Sequence, residues 1–505
     1  MVIRHTAQPS HARPHSLQQL LGMVDVRSVA AFVGPMALYT LTLAPTIYNL
    51  DSAELTTAAA TGGLTRATGY PVYLMLGWLW AQLPVGDVGY RMNLLSAVGG
   101  ATTVLLADRV LRRLGVGPWA AFGALGLLAT APFFWALSLI AEVYTLHTAL
   151  MAGIILLLLR WREQPIPRRL GLLALVGGVS MGHHLATALL VPACLVFVVG
   201  TAPRRALAPR SIGAAVAGGL LGLSVYLYLP LRSLGQPAFN YVGMYDAAGV
   251  FSPVNLLQPQ QLWWLITGRS FAEQMLGYSP AGWLREAGAY GAQLFRSFFA
   301  VGVGPGLLGV AALLRRDRWL GLALALMFLA NACFYIGYRV VDKNTMYLPT
   351  YLVWALWAGV GYQQLLTWVS RDNGGQAELR LLRGVLTVAV VAALGWNWHL
   401  VSRANDWSAR ERGEAVLEVV APGGLVLGYW ETVPLVEYLQ LVESRRPDIT
   451  AINRFLIRPE DLERLIAREL HRRPVYIDAP TAELLDDYRI DPAGPIYRVL
   501  PRAHP

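Results

Sequence analysis

For most of this chain the apolar residues neither alternate nor recur at amphipathic spacing; they run on. A membrane span needs roughly 20 mostly apolar residues, and about eleven such runs can be found. They lie near 28–47, 91–110, 117–137, 139–159, 170–187, 188–202, 211–230, 292–314, 319–338, 347–369 and 382–401. Beyond that point the pattern changes. Gly424–Tyr429, Ile449–Asn453, Val475–Ile477 and Ile496–Leu500 are short apolar runs that read as strands, and Val433–Val442 and Pro459–Leu470 have the pattern of helices. The pattern predicts an α-helical polytopic membrane protein with a small C-terminal α/β soluble domain of about 100 residues. Three regions are expected: a cytoplasmic N-terminal segment 1–27, a membrane domain 28–401, and the α/β domain 402–505.

Charge gives the expected fold a direction. The chain has 505 residues and a net charge of +10, with 55% hydrophobic and 14% charged residues, which does not fit a soluble multidomain protein. The excess of positive charge falls wholly in the membrane part: the stretch from Arg403 onward has 14 basic against 17 acidic residues. Orientation in a bilayer accounts for that excess, and nucleic acid is not an expected partner. Arg4/Arg13/Arg27, Arg109/Arg112/Arg113, Arg160/Arg162/Arg168/Arg169, Arg204/Arg205/Arg210, Arg315/Arg316/Arg318 and Arg371/Arg380/Arg383 fall on one side of the eleven-span arrangement, 19 in all, against eight basic residues on the other. Cytoplasmic loops retain arginine, so the N-terminus is expected inside and the C-terminal domain outside the cytoplasm. Residues 1–27 carry Pro9 and Pro14 and no apolar core, so the first span is expected to act as a signal-anchor. The expected location is a prokaryotic plasma membrane. Cys194 and Cys333 sit in apolar stretches and imply no disulfide framework.

Two loops on the outer side are too long for connectors. Residues 48–90 contain the apolar stretch Tyr70–Leu83, suited to an interfacial or re-entrant helix, and residues 231–291 are rich in Pro, Gly, Tyr and Trp. Loops of that size usually cover a site. Carboxylates beside hydrocarbon are costly, so those near span ends are candidates for function. Asp51 and Glu54 follow the first span at a spacing that shares one helix face, although a capping box would explain them equally well. Glu142 opens the fourth span at the same membrane face, where its own helix dipole would also favour it. His183 and His184 fall where the fifth span meets the outer surface. Adjacent helical residues point about 100° apart, so a hydrogen-bonding or phosphate-facing histidine is expected there rather than a metal site. Arg232 ends the seventh span, where snorkelling is the ordinary role and bidentate phosphate binding the functional one. Lys343 is the single lysine among 41 basic residues, in the turn Asp342-Lys343-Asn344.

Three stretches together carry a resemblance: Tyr48-Asn49-Leu50-Asp51-Ser52-Ala53-Glu54-Leu55, Gly69-Tyr70-Pro71-Val72-Tyr73 and Arg91-Met92-Asn93-Leu94-Leu95-Ser96-Ala97. Ala141-Glu142-Val143-Tyr144, Gly182-His183-His184, Tyr228-Leu229-Pro230-Leu231-Arg232-Ser233 and Met346-Tyr347-Leu348-Pro349 extend it through most of the membrane part. The chain resembles the family catalogued as domain of unknown function 2723. That family includes the transmembrane protein O-mannosyltransferases and is similar in plan to the type-C glycosyltransferase superfamily. The resemblance implies a membrane glycosyltransferase that moves a mannose-like hexose, with inversion, from a polyprenyl-phosphate donor to an extracytoplasmic acceptor, a protein hydroxyl or a glycan. It places Asp51 at the family's acidic position with Glu54 beside it. Arg66, Tyr70, Asn93, Glu142, Tyr144, His183, His184, Arg232 and Lys343 are the expected substrate-binding residues. No cofactor and no metal are expected, since the donor is already activated. The chain departs from the family pattern at Arg66-Ala67-Thr68, where His-Pro-Pro usually precedes Gly-Tyr-Pro, and at His183, where Asn is common.

Two other functions compete. A transporter or flippase for a lipid-linked or anionic solute needs ionisable groups at mid-bilayer so that access can alternate, whereas these candidates cluster at one face. A receptor or assembly factor would work through its soluble tail and tolerate loss of Asp51.

Overall fold

The computed structural model describes residues 25–371 and 375–502. Most of segment 1–27, including Arg4 and Arg13, and the side chain of Arg371 lie outside the described residues. Each expected apolar run within them contains helix, although several are interrupted. Among the described residues five helices are long and apolar enough to cross a membrane: Val88–Arg113, Tyr144–Glu163, Pro209–Leu234, Arg318–Gly337 and Gln376–Val401. Val26–Thr42, Pro118–Ala129, Pro167–His183, Val191–Thr201 and Leu348–Arg371 fill the other runs. Proline begins many of these helices, at Pro71, Pro118, Pro167 and Pro209 among others. Its fixed φ suits the first helical residue, whose N–H has no partner within the helix in any case.

One expected span is corrected. Residues 292–314 are not one helix: Pro280–Ser297 ends, Phe299 and Ala300 take left-handed φ of 50° and 59°, and a second helix runs Val303–Arg316. Pro305 is the cause, because it has no N–H to donate and is tolerated only in the first turn of a new helix. Glycines set how closely the bundle packs. A Cβ on Gly361 would stand 1.8 Å from the carbonyl oxygen of Pro305, and one on Gly309 would stand 1.9 Å from that of Trp357, so Val303–Arg316 and Leu348–Arg371 touch backbone to backbone. Pro167–His183 and Pro209–Leu223 meet in the same way, with the Gly218 position 2.1 Å from the Gly171 oxygen. Small residues allow this approach, which in lipid replaces the missing hydrophobic drive between helices.

Ion pairs gather at one end of the bundle. Arg27 and Arg112 both bind Asp108, at 2.6 and 2.8 Å, Arg112 also reaches Asp25, Arg113 pairs with Glu163, and Arg162 pairs with Asp317. At the other end the first and last helices come together, the Arg403 N–H donating to the Thr42 carbonyl at 2.9 Å. The first loop and the chain beyond residue 401 therefore share a side. Loop 48–90 forms helices Asp51–Thr61 and Pro71–Trp80. Loop 231–291 forms an antiparallel pair, β1 (Gly243–Tyr245) and β2 (Phe251–Pro253), and helix Pro259–Ile266. The two loops are stitched together by Leu64, whose N–H donates to Phe239 and whose carbonyl accepts from Tyr241.

The C-terminal residues build a five-stranded sheet from β3 (Leu425–Gly428), β4 (Thr450–Asn453), β5 (Val475–Ile477), β6 (Tyr488–Ala493) and β7 (Ile496–Pro501), in the order β4-β3-β5-β7-β6. β3 lies parallel to β4 and β5, and β7 antiparallel to β5 and β6. The interior strands β3 and β5 are wholly buried and apolar, which is why their sequence is plain. β6 escaped the reading because Tyr-Arg-Ile-Asp-Pro-Ala carries two charges and a proline, features that mark a sheet edge. Helix Ser408–Val419 was also not expected. Helix Asp51–Thr61 packs on helix Val433–Leu441, so Ile47 and Ala53 of the membrane part share one apolar cluster with Val416, Leu435 and Leu439.

Candidate active site

The site grows from the start of helix Asp51–Thr61. Leu50 occupies the N-cap position with φ 56° and ψ −135°, a left-handed conformation costly for a branched side chain, and offers no capping bond. Asp51 is thus the first helical residue and not the cap. The capping-box reading does not hold, because Glu54 turns away from its own helix start. Its Oε1 accepts from the Arg66 backbone N–H at 3.1 Å and its Oε2 accepts from the Trp430 indole N–H at 3.0 Å. Ser52 ties the helix to the fourth span, its hydroxyl oxygen accepting from the Ala141 N–H at 3.1 Å.

Arg66 is the centre of the charge arrangement. Its guanidinium lies 2.5 Å from the Asp51 carboxylate and 3.7 Å from that of Glu54, and its carbon sits 4.5 Å from the centre of the Trp430 ring. Asp51 retains 28% side-chain exposure whereas Glu54 has 2%. The two carboxylates are therefore unlike: one borders open space and one is sealed. Burial pushes the Glu54 carboxyl up to about 6, with Arg66 opposing and Asp51 adding to the rise. Asp342 is also raised by burial and by Asp51. Tyr70 takes a left-handed φ of 41° before Pro71. Burial raises its hydroxyl well above the ordinary range, Arg66 opposes, and Asp51, Glu54 and Glu142 reinforce the rise.

The remaining expected residues divide. His184 stands among rings, 4.9 Å from His147, 5.7 Å from Tyr144 and 5.9 Å from Tyr70 between centroids, and its Nδ1 accepts from the Ala186 N–H at 3.2 Å. His183 is fully buried, with Nε2 2.8 Å from the Val143 carbonyl and its ring 6.0 Å from that of Tyr73. Asn93 is buried and spends both its N–H bonds on the Ala44 and Thr46 carbonyls, at 3.0 and 2.8 Å, holding the chain that leads to Asp51. Arg232 donates from Nε to the Gly62 carbonyl at 2.6 Å, at the far end of helix Asp51–Thr61. Lys343 is drawn aside by Glu286 at 2.7 Å and the Tyr278 hydroxyl at 3.0 Å, leaving its neighbour Asp342 near Asp51. Among the described residues no group of three His, Cys, Asp or Glu side chains is arranged to hold a metal ion.

Two contributors were missed by the sequence reading, Trp430 and His147, while Asp342 and Tyr73 were named within their stretches but given no role of their own. His147 follows Glu142 along the same span and was open to notice. Trp430 gives no local signal, being 376 positions from Glu54.

Comparison with known proteins adds to this geometry. The family described as protein O-mannosyl-transferase TMEM260 N-terminal domain matches residues 51–206. The protein O-mannosyl-transferase TMEM260 of Mus musculus is 29% identical over 212 residues, 41% of this chain and 30% of the relative. Its namesake in Dictyostelium discoideum is 20% identical over 477 residues, 84% of this chain and 56% of the relative. The chain is similar to the transmembrane O-mannosyltransferases. It spans about half or less of the length of these relatives. Two crystal structures of ArnT from Cupriavidus metallidurans share its fold. The apo state has a TM-score of 0.61 at 15% identity, covering 95% of this chain and 98% of that one; the form bound to undecaprenyl phosphate has 0.57 at 12%, covering 95% and 97%. The match to the O-mannosyl-transferase family begins at Asp51 and takes in Glu54, Arg66, Tyr70, Asn93, Glu142, Tyr144, His183 and His184, whereas Arg232 and Lys343 lie beyond it. The apolar helices and these relatives agree that this is a membrane protein.

Proposed function

We propose that the protein is an inverting membrane glycosyltransferase that moves a mannose-like hexose from a polyprenyl-phosphate donor to a hydroxyl outside the cytoplasm, most simply on a protein. The observation that carries this reading is the half-exposed Asp51 beside buried Glu54, bridged by Arg66, at the end of the bundle where the C-terminal domain closes over the first loop. The likeness to O-mannosyl-transferases and to the fold of ArnT supports it.

In the proposed reaction the acceptor oxygen bonds to the anomeric carbon as the bond from that carbon to the phosphate oxygen breaks. Asp51 takes the hydroxyl proton as general base. The electron pair leaves with the polyprenyl phosphate, whose charge needs cations; Arg232 or Arg66 supplies the positive charge and His184 a hydrogen bond. A single displacement inverts the anomeric centre. The donor carries its own leaving group, so the proposal calls for no cofactor or metal. Tyr70, Tyr144 and Glu142 border the sugar, while Asn93, His183 and Lys343 act by holding the surrounding chain in place. Eleven spans, a cytoplasmic N-terminus, an extracytoplasmic domain 402–505 and a prokaryotic plasma membrane complete the proposal. Nothing in the site favours a transporter, whose ionisable groups would have to sit midway along the spans.

Donor turnover by the purified protein in detergent, with radiolabelled polyprenyl-phosphate hexoses, tests the reading. Asp51→Asn keeps the shape but cannot take a proton, so turnover falls by roughly 10²–10⁴-fold while donor binding persists. Wild-type turnover in Asp51→Asn would refute the assignment.

A further inference from the structure

The C-terminal domain reaches into the acid–base centre through one side chain. Trp430 lies just beyond β3 and is 9% exposed. Its indole N–H donates to Glu54 Oε2 at 3.0 Å, and its ring lies 4.5 Å from the Arg66 guanidinium carbon. Two further rings keep it there. Phe455 meets it edge-on at 4.8 Å, and Tyr241 does so at 5.7 Å. Tyr241 is itself held, because its hydroxyl is bonded to Glu437 and accepts from the Asn453 amide at 3.4 Å. The indole is therefore fixed from both sides, by Phe455 of the C-terminal residues and by Tyr241 of loop 231–291. Mere contact between domains would not need a polar bond at its centre. Glu54 has 2% exposure, and a buried carboxylate is retained only where donors and a cation satisfy it.

We propose that Trp430 is a positioning residue of the catalytic centre: by holding Glu54 and facing Arg66 it sets how Arg66 is shared between Glu54 and Asp51, and so leaves Asp51 free to take the acceptor proton. The inference rests on Asp51 being the base. While Glu54 is ionised it draws on Arg66 at 3.7 Å in competition with Asp51 at 2.5 Å. Protonation of Glu54 ends that competition, Arg66 closes fully on Asp51, and the oxygen needed by the acceptor is covered. The groups around Glu54 are Asp51 and Arg66 from the first loop and, from the elements packed on it, Tyr70, Tyr241, Glu437 and Trp430. Trp430 favours the ionised form, and burial pushes this carboxyl up to about 6 even so. Loss of the indole N–H raises it further.

The test uses the full-length protein in detergent, following kcat and donor KM against pH for wild type, Trp430→Phe, Glu54→Gln and the double variant. Trp430→Phe keeps an aromatic ring beside Arg66 but loses the N–H together with part of the indole's packing, and the pH profile separates these two losses. It should lower kcat on the order of tenfold with donor KM unchanged. It should also move the acidic limb of kcat to higher pH. In the Glu54→Gln background the same substitution should move no limb, because the carboxyl bonded to the indole no longer titrates and Asp51 has no bond to Trp430 to lose. A uniform loss at every pH, matched by a lower melting temperature, would make Trp430 a packing residue only and overturn the inference. An Asp51→Asn variant with normal turnover would instead overturn the reading beneath it, whatever Trp430→Phe does.

Discussion

Arg66→Met removes the cation that Asp51 and Glu54 share, so its consequence can be worked through in advance. At an effective dielectric constant of about 20, unit charges about 4 Å apart attract by ~4 kcal/mol. The Arg66–Asp51 contact is that close, but each side chain keeps 28% exposure, and solvent screening removes about half the attraction. Glu54 is sealed, and leaving a buried charge without its partner costs about 3–5 kcal/mol in comparable pairs. The indole and the Arg66 backbone N–H still serve Glu54 in the variant, which makes the net destabilisation roughly 2–4 kcal/mol near neutral pH. The sign with pH follows from Glu54. Its folded-state value is raised to about 6 from the ordinary 4.5, so its contribution to stability is fully present below about 4.5 and is lost as pH rises through 6. Without Arg66 the folded-state value rises again and that loss continues to higher pH. The gap between variant and wild type should therefore be widest above pH 7 and narrow toward pH 4.5. Thermal unfolding of both proteins in one detergent across pH 4.5–8 measures it. A gap that stays constant or widens on acidification would refute the charge argument, and no gap at all would show that Arg66 does not stabilise the loop.

Other perturbations test the frame around the site. Arg410 grips Glu443 through two bonds of 2.7 and 2.8 Å and reaches Asp87 at 3.3 Å, joining the C-terminal domain to the first loop; Arg410→Ala should loosen that joint by about 1–3 kcal/mol and hasten limited proteolysis at 402–407, seen by mass spectrometry, and unchanged cleavage would count against the joint. Gly361→Ala would put a methyl carbon 1.8 Å from the Pro305 carbonyl oxygen, so the folded yield by size-exclusion chromatography should collapse, whereas Gly384→Ala, with open space at that position, should be recovered like wild type.

The candidate site was legible in part, for physical reasons that separate its residues. Asp51 and Glu54 stood out because a carboxylate next to an apolar run is costly wherever the run packs. Glu142 and the His183-His184 pair stood out on the same ground, and the structure sets Glu142 and His184 near Tyr70. Arg66 was visible chiefly as a departure from the family pattern. Its place between Asp51 and Glu54 depends on how loop 48–90 folds back, which no local spacing encodes. Lys343 attracted notice as the lone lysine, yet the nearby Glu286 captures it.

The chain's own pattern determined the parts that depend on local chemistry. Long apolar runs demand helices that satisfy their own backbone, proline marks where these begin, and short apolar runs bounded by glycine and proline make the buried strands β3 and β5. What only the tertiary structure decided is which side chains meet. Trp430 reaches Glu54, and Ile47 and Ala53 complete an apolar cluster begun by Val416 and Leu435, because the first and last helices end side by side and bring the two loops and the sheet onto one face. Periodicity reports how a segment folds on itself; contacts between residues hundreds of positions apart arise from packing the finished elements together.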